Sequence, residues 1–296
     1  MVGPKINKKK STLKKKDITI RGVNKDLYEQ FITFARRIGF SAGEAFDELV
    51  FTLLYKPWRH ITPMPEGLVE EPPEIIEKLD HLKVTKKDLL EAGEEVQYLF
   101  RDINELIFDK SVTGEIVIKH VRMIIKCDVT FQGPVSRFIQ SGILRKRPEY
   151  HHPTDESKLK DVTIRNVSTE IYDEFLAVAK QRGKTTGEFF SDLLASSIPR
   201  IEIYRHTHHR PAMKGNLVIL FENNLTVTKE DLELLKKRQV VFYGIDKLVF
   251  TKDITQELFM KTVDKIIKCD TVILPKTIPR LIVLSRAVDC SSVKTS

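Results

Sequence analysis

The stretch DITIRGVNKDLYEQFITFARRIGFSAGEAFDEL, from Asp17 to Leu49, returns as DVTIRNVSTEIYDEFLAVAKQRGKTTGEFFSDL from Asp161 to Leu193. The offset is 144 residues throughout, without a gap. Asp17/Asp161, Thr19/Thr163, Ile20/Ile164, Arg21/Arg165, Tyr28/Tyr172, Phe31/Phe175, Gly43/Gly187, Glu44/Glu188 and Phe46/Phe190 are among the identical pairs. In each copy a short alternating run comes first. Ile18 and Ile20 fall on one face of a strand, Thr19 and Arg21 on the other. Asn24 is then placed to cap a helix whose apolar positions are Leu27, Phe31, Phe34 and Ile38, and which Gly39 ends. Ser41 and Glu44 spell a capping box for a second helix, striped by Phe46, Leu49, Val50 and Leu53. The second copy repeats each step, with Ser168 as the first cap and Thr185 and Glu188 as the box.

A lone strand with two short helices has too little interior to fold by itself. Its isoleucine face and helix stripes need a partner unit, and this chain carries one. The order of elements, the ITIR and VTIR strands, the glycine between helices and the capped second helix resemble the ribbon-helix-helix family of DNA-binding proteins, typified by Arc and MetJ. The resemblance implies that the two units form a pseudo-dimer whose strands pair into an antiparallel ribbon entering the major groove. It implies base contacts from Thr19, Arg21, Thr163 and Arg165, since arginine donates twice to guanine and threonine offers a hydroxyl and a methyl. It further implies phosphate contacts at the start of each second helix, at Ser41 and Ala42 in one copy and at Thr185 and Thr186, beside Lys184, in the other. Asp17 and Asp161 share the parity of the base-facing residues and are expected at the ribbon ends, away from phosphate. The tandem arrangement is similar to regulators of hyperthermophilic archaeal viruses, and the Lys- and Glu-rich composition is compatible with a thermophile.

The chain has 296 residues and a net charge of +8, seven charges of which come from Lys5, Lys8, Lys9, Lys10, Lys14, Lys15 and Lys16. Residues 1–16 therefore read as a disordered basic arm, and Lys8, Lys9, Lys10, Lys14, Lys15 and Lys16 as further phosphate contacts. No apolar run is long enough to cross a bilayer, and the lysine-rich start lacks the apolar stretch of a secretory signal. A membrane partner is not expected, and the expected location is cytoplasmic, in a nucleoid or a host cell. Cys127, Cys269 and Cys290 are an odd count, with the first two at matching places, and read as small buried apolar residues.

Duplication extends past the helices. Leu82, Val84, Thr85, Lys86, Asp88 and Leu89 return as Leu225, Val227, Thr228, Lys229, Asp231 and Leu232, and IIKCD at 124–128 returns at 266–270. The clearer copy reads as a strand at 217–221, a helix capped at Thr228, a strand at 247–250, a helix over 255–268 and a strand at 271–274. The expected architecture is a mixed α+β chain: arm 1–16, unit 1 at 17–56, a small α/β domain at 57–144 behind a proline-rich spacer, a linker at 145–160, unit 2 at 161–199, and a second α/β domain at 200–296.

No Gly-rich phosphate loop, metal motif or nucleophile setting stands out, so neither an enzyme, a cofactor nor a metal is expected. His206, His208 and His209 beside Arg205 and Arg210 read as a solvated loop, with an auxiliary basic contact as the functional alternative. The expected function is sequence-specific binding of double-stranded DNA in transcription regulation, with self-association and cooperative assembly along DNA. An architectural DNA-binding protein and an antitoxin-like adaptor are the alternatives.

Overall fold

The computed structural model describes residues 14–55, 73–91, 93, 96–144, 150–207 and 216–295. In chain order the first half runs β1 (Lys15–Asn24), α1 (Lys25–Arg37), α2 (Ala42–Tyr55), β2 (Glu74–Val84), α3 (Lys86–Glu91), β3 (Tyr98–Phe108), α4 (Gly114–His120), β4 (Val121–Phe131) and α5 (Arg137–Ile143). The second half opens with a 3-10 turn at Glu156–Lys158 and continues through β5 (Leu159–Ser168), α6 (Thr169–Gln181), α7 (Thr186–Thr207), β6 (Leu217–Leu220), β7 (Asn224–Val227) and α8 (Lys229–Leu234). It closes with β8 (Val240–Tyr243), β9 (Lys247–Phe250), α9 (Gln256–Thr262), β10 (Val263–Ile267), β11 (Thr271–Leu274), α10 (Arg280–Leu284), β12 (Ala287–Val288) and β13 (Ser292–Thr295). The fold is mixed α and β, in two compact units, one of Met1–Met64 with Glu149–Ile201 and one of Pro65–Pro148 with Glu202–Ser296.

In the first unit β1 and β5 pair antiparallel, and four helices close over their apolar face. Asn24 and Ser168 cap α1 and α6, each accepting from a backbone amide three residues on. Ile18, Ile20, Val162 and Ile164 are buried beneath Phe31, Phe46, Phe175 and Phe190. Phe46 and Phe190, the same position of the repeat, lie 5.3 Å apart between ring centres, so the two copies share one core.

The expected arm is too long, since Lys15 and Lys16 already belong to β1; likewise Leu159 and Lys160 of the expected linker belong to β5. The cause is cross-strand pairing, which takes both lysines into the ribbon opposite Ser168 and Val167.

The two α/β segments are not separate domains. They form one unit with one buried core running from Val84 to Val283. Its plan is a stack of rungs, each a strand, a left-handed corner residue, a further strand and a short helix. In the first segment β2, β3 and β4 are parallel and bend at Lys78, Asp102 and Lys126. In the second, β6, β8, β10 and β12 form one parallel sheet and β7, β9, β11 and β13 another, joined at Phe221, Gly244, Lys268 and Asp289. All seven corners have φ between 51° and 63°. Neighbouring rungs are spaced 23 or 24 residues apart through most of the stack, as in Glu74–Tyr98, Tyr98–Val121, Leu217–Val240 and Val240–Val263. This shorter repeat, nested inside the long one, is a stack in which each rung buries its apolar side against the next. Between the segments, Ser136 Oγ donates to Asp231 Oδ1 at 2.6 Å, Arg137 pairs with Glu222 at 3.1 Å, and Gly142 packs so near Leu217 that a β carbon would meet its side chain at 2.4 Å.

The stack also corrects the expected elements. The helix over 255–268 ends at Thr262, because Val263 and Ile266 pair with Val240 and Phe242 in the parallel sheet. Strands β7 and β8, helix α10 and the two closing strands lie outside the expected elements, and Phe221 is a corner rather than the end of a strand. The helix capped at Thr228 is present, with the full capping box to Asp231. Cys127, Cys269 and Cys290 each follow a left-handed corner; Cys269 is buried and the other two half-buried.

Candidate nucleic-acid interface

The ribbon is centred on one pair. Thr19 stands opposite Thr163, flanked by Ile18 opposite Ile164 and Ile20 opposite Val162. Since Thr19 and Thr163 are also equivalent in the repeat, the pseudo-twofold passes between them, and their hydroxyls lie 3.3 Å apart. Thr19, Arg21, Thr163 and Arg165 are exposed on the face opposite the core, so the structure brings all four expected base-facing residues onto one surface. Among the described residues neither arginine forms an ion pair.

On either side of the centre the pairing slips by one residue. Arg21 and Gly22 oppose Asp161 alone, and Arg165 and Asn166 oppose Asp17 alone. These are bulges, which bend a strand and re-aim its side chains. Gly22 and Asn166 take left-handed φ values of 67° and 59°, which glycine and asparagine tolerate best. Their amides are met across the ribbon: Gly22 N donates to Asp161 Oδ1 at 3.0 Å and Asn166 N to Asp17 Oδ1 at 3.1 Å. The expectation that the aspartates mark the ribbon ends is thus corrected. They cap the bulges beside the arginines, a role whose signal in the sequence was their recurrence in both copies.

The second helix of each copy docks on the bulge of the other. A β carbon on Gly43 would stand 2.2 Å from the Arg165 carbonyl oxygen, and one on Gly187 2.0 Å from that of Arg21. Only glycine permits that approach, so the first turns of α2 and α7 flank the two arginines. Two backbone amides tie the arrangement further by hydrogen bonds, Asn24 N donating to Ser191 Oγ at 2.9 Å and Ser168 N to both oxygens of Asp47 at 3.1 Å.

The expected phosphate-contacting residues divide. Ser41 and Thr185 sit at the helix starts inside complete capping boxes: Glu44 accepts from the amide and hydroxyl of Ser41, and Glu188 from those of Thr185. Those bonds hold both carboxyls below their ordinary range, so a negative charge stands at each helix start. Ala42 and Thr186, half-buried, begin the helices. Lys184 is ion-paired with Asp192. Lys16 reaches Asp173 at 3.0 Å and lies over the Tyr172 ring, and its repeat mate Lys160 does the same with Glu29 and Tyr28. Lys16 therefore binds the two copies together. Lys14 and Lys15 are exposed, and Lys14 O accepts from Thr169 N at 2.9 Å. Lys8, Lys9 and Lys10 lie outside the described residues, as do His208, His209 and Arg210.

Among the described residues no group of three His, Cys, Asp or Glu side chains is arranged to hold a metal, and no helix is long and apolar enough to cross a membrane. Set against protein-family models, curated proteins and solved structures, the chain matches none of them.

Proposed function

We propose that this chain is a sequence-specific double-stranded DNA-binding regulator of transcription, reading the major groove with a ribbon-helix-helix pseudo-dimer made within one polypeptide. One observation carries the reading: β1 and β5 pair about Thr19 and Thr163 so that two threonines and two free arginines share one exposed face. A two-stranded ribbon fits the major groove, where arginine discriminates guanine through O6 and N7. Arg21 and Arg165 are two residues to either side of the centre, which spaces their α carbons by about 14 Å, or roughly four base-pair steps. Both sit beside the start of a helix, where Gly187 and Gly43 bring the first turn against the arginine backbone. The bulge residues Gly22 and Asn166, and the helix starts Ser41–Ala42 and Thr185–Thr186, differ between the copies, so the DNA site need not be a perfect palindrome. Self-association belongs to the same reading, and the exposed Ile75 and Leu79 on the first rung and Leu281 and Leu284 on the last helix support it.

Selection of bound sequences from a random DNA pool tests the reading. The expected result is an enriched site with two unlike halves. Binding without enrichment would turn the reading into that of an architectural protein, and no binding at all would remove DNA as the ligand.

A further inference from the structure

The two copies differ in what lies along the start of the second helix. In the second copy the segment leading into β5 covers that place: Tyr150 is half-buried beside Ser191 and Asn24, with its hydroxyl 3.3 Å from His152 Nδ1. The 144-residue offset carries Ser191 onto Asp47, Asp192 onto Glu48, Ala195 onto Phe51 and Lys184 onto Phe40. In the first copy these positions line a shallow groove of about 360 Å³ together with Glu44 and Ser168. Phe40, Phe51 and Ile171 form its apolar part, and three carboxylates with Ser168 its polar part.

The segment that would cover it by the same offset is the one leading into β1. Ile6 then takes the place of Tyr150 and Lys8 that of His152. The described chain begins beside this groove, since Lys14 O accepts the amide of Thr169, next to Ser168 of the groove wall. The Lys15 ammonium already acts on the carboxyls of Glu44 and Asp47. Residues 1–13 contain Lys5, Lys8, Lys9 and Lys10 and no acid, so their charge is opposite to that of the groove. Eight residues separate Ile6 from Lys14, a reach of up to about 27 Å, which is ample.

We propose that residues 1–13 dock in the groove of their own chain, with Ile6 against Phe40 and Phe51 and the lysines against Glu44, Asp47 and Glu48. The docked lysines are neutralised within the molecule, and a polyanion competes with the groove for them. The inference stands independently of the DNA reading, because it rests on the pseudo-symmetry of the first unit and on charge.

The test places a photoactivatable benzophenone amino acid at position 6 of the full-length chain and maps the cross-links by mass spectrometry, with isotope-mixed chains separating those within a chain from those between chains. The expected cross-links fall on residues 40–51 and 168–171 of the same chain. They drop about fivefold or more in 1 M salt, where the Debye length is about 3 Å, and equally with Glu48→Lys. Cross-links scattered along the chain, gathered elsewhere or confined to a second chain would each overturn the proposal, and so would a pattern indifferent to salt.

Discussion

Gly187 packs against the backbone of Arg21 so closely that a β carbon would lie 2.0 Å from the Arg21 carbonyl oxygen, and Gly43 does the same to Arg165. The helix start, the bulge and the arginine are therefore one assembly, made twice and each time from both copies. Gly43→Ala and Gly187→Ala must push a helix off the ribbon. Each is expected to destabilise the first unit by about 3 kcal/mol, as overpacking against unyielding backbone does. Chemical denaturation followed by circular dichroism measures this, and an unchanged midpoint would show that the approach is looser than described.

The left-handed bulges give a second expectation. Asn166 holds φ 59° with its amide on Asp17, while Gly22 holds φ 67° with its amide on Asp161. Asn166→Gly should be close to neutral, whereas Asn166→Ala should cost about 1 kcal/mol because alanine resists that conformation. Equal effects of the two substitutions in urea titrations would refute the bulge geometry.

Base reading by the arginines is separable from general attraction to DNA. Arg21→Ala should lower affinity for the preferred site by about ten- to a hundredfold and relax preference in one half of it, and Arg165→Ala should do so in the other half. Competition binding against single-base variants of the selected site is the measurement. A uniform loss on every sequence would assign both side chains to the DNA backbone.

Acid should weaken the capping boxes. Backbone and side-chain bonds from Ser41 and Thr185 hold Glu44 and Glu188 below their ordinary value of 4.5, and the Thr85 hydroxyl and amide hold Asp88 below 3.8. In each case the folded-state value lies below the unfolded one. The contribution is complete above the unfolded value and is lost as pH falls through the folded one. Stability is therefore expected to fall from about pH 4.5 downward. The double substitution Glu44→Gln with Glu188→Gln, which preserves the box without a titrating group, should flatten that fall. Denaturation midpoints between pH 3 and 6 provide the check, and identical slopes for both proteins would exclude the boxes as the cause.

Some of this organisation was legible in the chain because local rules govern it. The alternation Ile18–Thr19–Ile20–Arg21 sets two faces of a strand wherever the strand goes, and Ser41 with Glu44, or Thr228 with Asp231, closes a box within one helical turn. The recurrence at 144 residues likewise marked Thr19, Arg21, Thr163 and Arg165 as equivalent before any contact was known. Other features depend on partners far along the chain. A carboxylate at Asp17 reads as a misfit until Asn166 presents an amide to it, and Gly43 reads as an ordinary helix residue until the Arg165 carbonyl arrives. The short apolar pattern of Val263–Ile267 suits either state and reads as the end of the helix over 255–268, and stacking on β8 makes it a strand. Faces, caps and equivalences were thus determined by the sequence itself, being matters of neighbouring residues. Bulges, the glycine approach and the stacked rungs were decided by tertiary structure alone, since each is a bond or a contact between segments that only the folded chain brings together.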